Sequence, residues 1–327
     1  MMPIGTVAIT CFLYIGLLFA VAYFAEKRRE AGKSIVSNSY IYSLSLALHF
    51  TSWTFYGVVG RAATSGIGFV AAYLGATLMA FTWWFLLRKM VRVSKEQNIL
   101  SIADFISSRY GKSALLGGII TIFTVVGIMP LIALQIKAIA YAFNILTTPL
   151  DVAGGSKNVI TTPHFSVDTA IIVALLLSLF SVMFGAKQLD ASKRHEGLVA
   201  AIAVQSVVKL IAFVSAGVFV TYGLFDGVAD IFTRFAVQFP DRSYLFQLGT
   251  PQFSYDMWIS WLFFSMTTVM FHPRQFHIMV IENSNEEHIK NAMWFYYHLT
   301  FNISFNCGIW HTGVTHSRRP PCRQDTE

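Results

Sequence analysis

GLVAAIAVQSVVKLIAFVSAGVFVTYGLF, residues 197–225, carries a single charge, Lys209, in an otherwise apolar run. A bilayer core needs roughly 20 apolar residues per helix. This run therefore reads as a spanning helix with a lysine near its middle. Comparable stretches lie near 4–25, 40–60, 66–87, 114–146, 168–186, 256–279 and, less cleanly, 292–310. The expectation is an all-α integral membrane protein with about 7–8 transmembrane helices. Composition agrees, with 55% hydrophobic and 13% charged residues and a mean hydropathy of +0.56. An average soluble domain carries about 25% charge.

The charges fall between the apolar stretches, and alternate loops differ. One set holds Lys27, Arg28, Arg29, Arg88, Arg92, Lys95 and Lys193, among others; the other holds only Arg61, Lys157, Arg234 and Arg242. Basic loops stay in the cytoplasm, so the N-terminus is placed outside a bacterial-type inner membrane. Anionic lipid accounts for the net charge of +7 without a nucleic-acid partner. The first segment is followed, not preceded, by its basic cluster, so it reads as a retained helix and not a cleaved signal. Cys11, Cys307 and Cys322 show no metal or disulfide spacing. No catalytic or phosphate-binding motif occurs, so neither an enzyme nor a bound metal or cofactor is expected.

Two spanning segments look interrupted. LALHFTSWTFYGVVG (46–60) mixes polar and β-branched residues with Gly57 and Gly60, and WLFFSMTTVMFHPRQFHIMV (261–280) carries Pro273 after His272. Proline removes a backbone donor. Irregular backbone at membrane depth survives only against protein or a water-filled cavity. Paired breaks in two halves point to a transporter-type site between inverted repeats. The organisation read from this is an extra helix and basic loop (1–39), a first five-helix repeat (40–225), an extracytoplasmic loop with an interfacial helix (226–253), the start of a second repeat (254–310) and a non-membrane tail (311–327). That tail has no apolar periodicity and reads as a frameshift or premature stop, or as a natural short form. Ser101–Ser108 and VADIFTRFAVQF (228–239) read as short amphipathic helices.

SLALHFTSWTFYGVVGRAATSGIGFVAAYLG (45–75), NILSIADFISSRYG (98–111), IALQIKAIA (132–140) and HPRQFHIMVIEN (272–283) resemble the sodium:solute symporter family. They look closest to the branch that fuses such a membrane domain to a sensor histidine kinase, the CbrA type. The resemblance implies a LeuT-type inverted-repeat bundle, partial here. It implies that the carbonyls of Ala47 and Phe50 take the place of sodium-binding carbonyls, with Thr51 and Ser52 at the break beside the substrate cavity. Three departures favour a proton over sodium: His49 stands where proline-type members carry Asp, Ile202 stands where many sodium-dependent members carry Asp, and the helix that supplies sodium-binding hydroxyls lies beyond residue 327.

Lys209 is the residue most exposed to functional interpretation. A charge at that depth normally faces the bundle interior or water. Two readings stand: a tethered cation that fills the sodium site and exchanges protons, or a structural lysine bonded to carbonyls of an unwound helix. Gln205, one turn earlier, reads as a substrate or interhelical hydrogen-bonder, and Gln135 as a cavity-lining residue. His49 is a proton relay, a carboxylate contact or a packing group, and Trp53 a cavity wall or core aromatic. Lys137 snorkels outward, and Arg274 reads as a lipid-phosphate or loop contact, with a substrate clamp as the alternative. The expected function is a cation-coupled, symporter-like transport or sensing domain for a small amino acid or organic solute. It has the lipid bilayer as partner and a kinase domain in longer relatives. The alternatives are a receptor that does not transport and a nonfunctional fragment.

Overall fold

The computed structural model describes residues 3–35, 37–147, 167–184, 196–249 and 253–301. The expected tail with Cys322, Cys307 before it, and the loop around Lys187 and Lys193 lie outside the described residues. The described chain is helical. Its helices are α1 (Ile4–Glu30), α2 (Ser39–Ser45), α3 (Ser52–Ser65), α4 (Val70–Phe81), α5 (Leu86–Glu96), α6 (Ile102–Ser108), α7 (Ala114–Thr147), α8 (Val167–Phe184), α9 (Glu196–Val218), α10 (Val228–Gln238), α11 (Tyr255–Phe271), α12 (Pro273–Phe276) and α13 (288–301).

Among the described residues three helices are long and apolar enough to cross a membrane: Ile4–Glu30, Ala114–Thr147 and Glu196–Leu224. The pair Gly66–Phe81 and Leu86–Glu96 passes the same length and composition together but is bent by 65°, the form of a broken span or a re-entrant loop. Segments 40–60 and 256–279 are each divided, and neither passes as a single helix. α7 continues through Pro130, as spanning helices can when neighbours meet the freed backbone groups. Its residues Leu115, Ile122 and Phe123 lie exposed, the pattern of a surface built for lipid.

Close helix contacts come from small residues, as expected where lipid removes the hydrophobic drive between helices. α1 packs on α9 at Gly197, where an added Cβ would lie 2.6 Å from the Ala22 carbonyl oxygen. α4 packs on α11 at Gly75, where a Cβ would collide with the Leu262 carbonyl, and Ser265 Oγ donates to the Ala72 carbonyl beside it. Between these pairs lies one apolar core, with Tyr42, Trp83, Phe276, Met279 and Tyr296 wholly buried. Trp83 sits at the α4–α5 bend with its ring centroid 4.9 Å from that of Tyr296.

The two short helices expected in loops are present. α6 is capped by Ser101, whose hydroxyl accepts from Asp104 N. α10 buries Ile231 and Phe235 and pairs Arg234 Nε with Asp230 at 2.7 Å on its outer face. The NEEHIKNA segment (285–292) has a structural role. Glu286 accepts from Arg88 Nε at 3.0 Å and Arg92 Nη2 at 2.9 Å, and Lys95 Nζ donates to the Ser284 carbonyl. These contacts fasten the basic, amphipathic α5 to the loop before α13.

Two outcomes follow from this packing. Gly75→Val, which drives a side chain into the α11 backbone, should cost about 1–3 kcal/mol or more and lower the thermal midpoint of the purified protein. Gly118→Val, a position with open space around it, should not. The second concerns acid. The hydrogen bond from Arg92, aided by Arg88, holds the Glu286 carboxyl below its ordinary range. A lowered carboxylate pKa adds stability that is complete above the unfolded-state value and is lost as pH falls through the folded one. Melting curves from neutral into acid pH should show a shallower acid loss in Glu286→Gln than in the wild type.

Candidate functional site

The first break falls between α2 and α3. α2 tightens into a 3-10 turn, Leu46–His49, and ends at Phe50 with φ −83° and ψ 112°. Thr51 stands outside either helix. α3 restarts at Ser52, and the buried Thr54 hydroxyl accepts from Thr51 N at 3.1 Å, the arm of a capping box that holds a helix start. The second break is at His272, with φ −64° and ψ 127°. A residue before proline is pushed out of the α region, and Pro273 opens α12 at the position where its missing N–H costs nothing. A π-helical turn, His277–Ile281, follows.

The structure brings the two breaks together. Gln275 Nε2 donates to the Leu46 carbonyl at 3.1 Å, and Arg274 Nη2 donates to the Leu48 carbonyl at 3.2 Å. From α9, Lys209 Nζ donates to the Phe50 carbonyl at 2.9 Å. Three carbonyls at the frayed end of one half-helix are thus met by three side chains from elsewhere. Tyr42 adds a fourth tie, its hydroxyl donating to the Met279 carbonyl at 2.8 Å. Arg274 is therefore bonded to protein backbone and is not the lipid or loop contact its sequence position suggested. A signal was available, since Arg274 directly follows the proline that breaks α11.

A cavity of about 470 Å³ opens on this junction, lined by Ala47, Phe50, Thr51, Gln135, Gln205, Lys209 and Arg274, with Thr54, Ser206 and apolar residues completing its wall. Gln135 Nε2 donates to Thr51 Oγ1 at 2.9 Å, tying α7 to the break. His49 lines an adjoining cavity of about 310 Å³ with Thr51, Thr54, Trp261, His272 and Arg274. Its ring meets Phe50 and Tyr296 edge-on. A third cavity, of about 600 Å³, includes Ile202, Gln205, Arg274 and His277. The side chains of Ser52 and Trp53 lie outside the described residues; their backbone begins α3. Lys137 is exposed, with its ammonium over the Tyr141 ring.

The electrostatics are one-sided. Among the described residues that line these three cavities there is no aspartate or glutamate. Glu282, near the third cavity, pairs with His277 at 3.2 Å. Removing a charge from water costs several kcal/mol, while a cation at a helix C-terminus regains about 0.3–2 kcal/mol. The carbonyls therefore offset only part of the cost of Lys209 and Arg274, and the guanidinium of Arg274, which cannot be deprotonated, keeps the chamber positive. Among the described residues no group of three or more His, Cys, Asp or Glu is placed to hold a metal ion.

Comparison with known proteins bears on the first break. The model of the sodium:solute symporter family matches residues 30–154. Over that segment the chain is similar to the sodium:solute symporter family. The segment contains α2, the break at Phe50–Thr51, α3 and Gln135, whereas Gln205, Lys209 and Arg274 lie outside the matched residues. No curated protein matches the chain. The apolar spans make this a membrane protein, and its likeness to solute symporters extends over residues 30–154.

Tyr42→Phe should leave the Met279 carbonyl without its donor inside the core. Its cost should be about 1–3 kcal/mol, read as a lower thermal midpoint with helical content unchanged.

Proposed function

We propose that this chain forms a solute-binding, symporter-like unit in which the ammonium of Lys209 takes the coupling-cation position. The observation that carries the reading is the 2.9 Å bond from Lys209 Nζ to the Phe50 carbonyl. The family resemblance assigns that carbonyl to sodium. A fixed ammonium and a bound sodium cannot share it, because two like charges at contact repel strongly in a medium of low dielectric. Solute handling is then independent of sodium, and proton exchange at Lys209 is the coupling event. The two readings of Lys209 merge, since the lysine is bonded to the unwound carbonyl and stands where a cation belongs.

The solute is a small amino acid or organic molecule, held in the cavity bounded by Thr51, Gln135, Gln205 and Lys209. The basic face with α5 and the 284–287 loop lies on the cytoplasmic side of a bacterial-type inner membrane, with the N-terminus outside. Resemblance to kinase-fused relatives supports a sensing role in the same geometry.

The test is uptake of labelled amino acids and organic acids into proteoliposomes, with sodium replaced by choline. Uptake should be unchanged by the replacement, collapsed by a protonophore and lost in Lys209→Met. Stimulation by sodium in the wild type would sink the tethered-cation reading. Binding without accumulation would mark a receptor.

A further inference from the structure

We infer that the solute is recognised through a carboxylate, and that Arg274 is the residue that seats it. The inference builds on the cavity of the proposed function but needs neither transport nor any choice of coupling ion. Its starting point is that Arg274 lines all three cavities. It is the common wall of the whole chamber, placed there by the break at His272.

The second observation is unfinished bonding. A guanidinium has five N–H donors and an ammonium three. Among the described residues Arg274 gives one bond, from Nη2 to the Leu48 carbonyl, and Lys209 gives one, from Nζ to the Phe50 carbonyl. The two cations lie close enough for their charges to repel. Arg274 also repels His49 and His272 from the adjoining cavity whenever those rings are protonated. No acidic side chain among the described lining residues answers them.

A chamber with that inventory is completed by an anion. The planar fork of arginine matches a carboxylate with two parallel bonds. The bond to Leu48 anchors the guanidinium on the carbonyl end of the α2 turn before a ligand arrives. Thr51 and Gln135 supply neutral polar contacts in the same cavity. The space of about 470 Å³ beside them suits a small organic acid or amino acid and not a large ligand. A neutral sugar would leave both cations unanswered, and a cationic solute would add a third like charge.

The test is equilibrium binding to the purified full-length chain in detergent, without gradients, using acids paired with their amides: histidine and histidinamide, proline and prolinamide, succinate and succinamide, propionate and propionamide. At least one acid should bind and its amide should bind about tenfold or more weakly, the scale of a charge-assisted pair. Arg274→Gln keeps a donor for the Leu48 carbonyl but removes the charge and the fork, and should weaken the acid to the level of the amide. Arg274→Lys should restore part of the loss. Acid and amide binding alike overturns the inference, as does full acid affinity in a folded Arg274→Gln or failure of every acid to bind. The acid–amide comparison on the wild type stands even if a variant misfolds. Carboxylate-selective binding together with sodium-stimulated uptake would remove the tethered cation and leave this inference intact.

Discussion

A helix that stops partway through a membrane leaves carbonyl oxygens with no water to meet them, and everything central in this structure answers that constraint. The α2 turn ends at Phe50 with carbonyls that no continuing helix satisfies. In hydrocarbon each unmet group costs several kcal/mol, more than helix propensity can recover. Gln275, Arg274 and Lys209 meet the carbonyls of Leu46, Leu48 and Phe50 in turn. The break is stable because three side chains of other helices converge on it, and the cavity exists because those helices must stand around the break to reach it.

The same bonds link the elements that a solute in the cavity would touch. α12 is held to α2 by Arg274 and Gln275, and the π turn is held to α2 by Tyr42. α7 reaches the break through Gln135 and α9 through Lys209. π-helical turns store an extra residue in each ring and recur at functional positions. The one at His277–Ile281 lies between α12 and the loop clamped by Arg88 and Arg92. A displacement of Arg274 therefore has a short, packed route to the basic surface.

The sequence made much of this readable. Apolar run length gave the helical membrane class, Pro273 gave the second break, and the mid-membrane depth of Lys209 marked it before any contact was known. Resemblance placed the first break at Thr51 and Ser52, while composition alone pointed to Gly57 and Gly60, which the structure keeps inside α3. Arg274 escaped because a local window sees a charge near the end of a helix and not a chain turning back on α2. The clamp of Glu286 by Arg88 and Arg92 escaped for the same reason: its partners are nearly two hundred residues apart, and no periodicity encodes such a pairing. Gln135 was read from its place in a long tilted helix, and its bond to Thr51 depends on how α7 lies against α3.

The sequence separations of the carbonyl anchors set an order of events in biogenesis. Lys209 lies 159 residues after Phe50, Arg274 lies 226 after Leu48 and Gln275 lies 229 after Leu46. At about 5–20 residues per second of synthesis, the first anchor emerges roughly ten seconds or more after the break it serves. Until then the segment from α2 to α3 is a poor resident of hydrocarbon. It must wait in a hydrated or protein-lined setting, and its insertion is completed by helices made long afterwards.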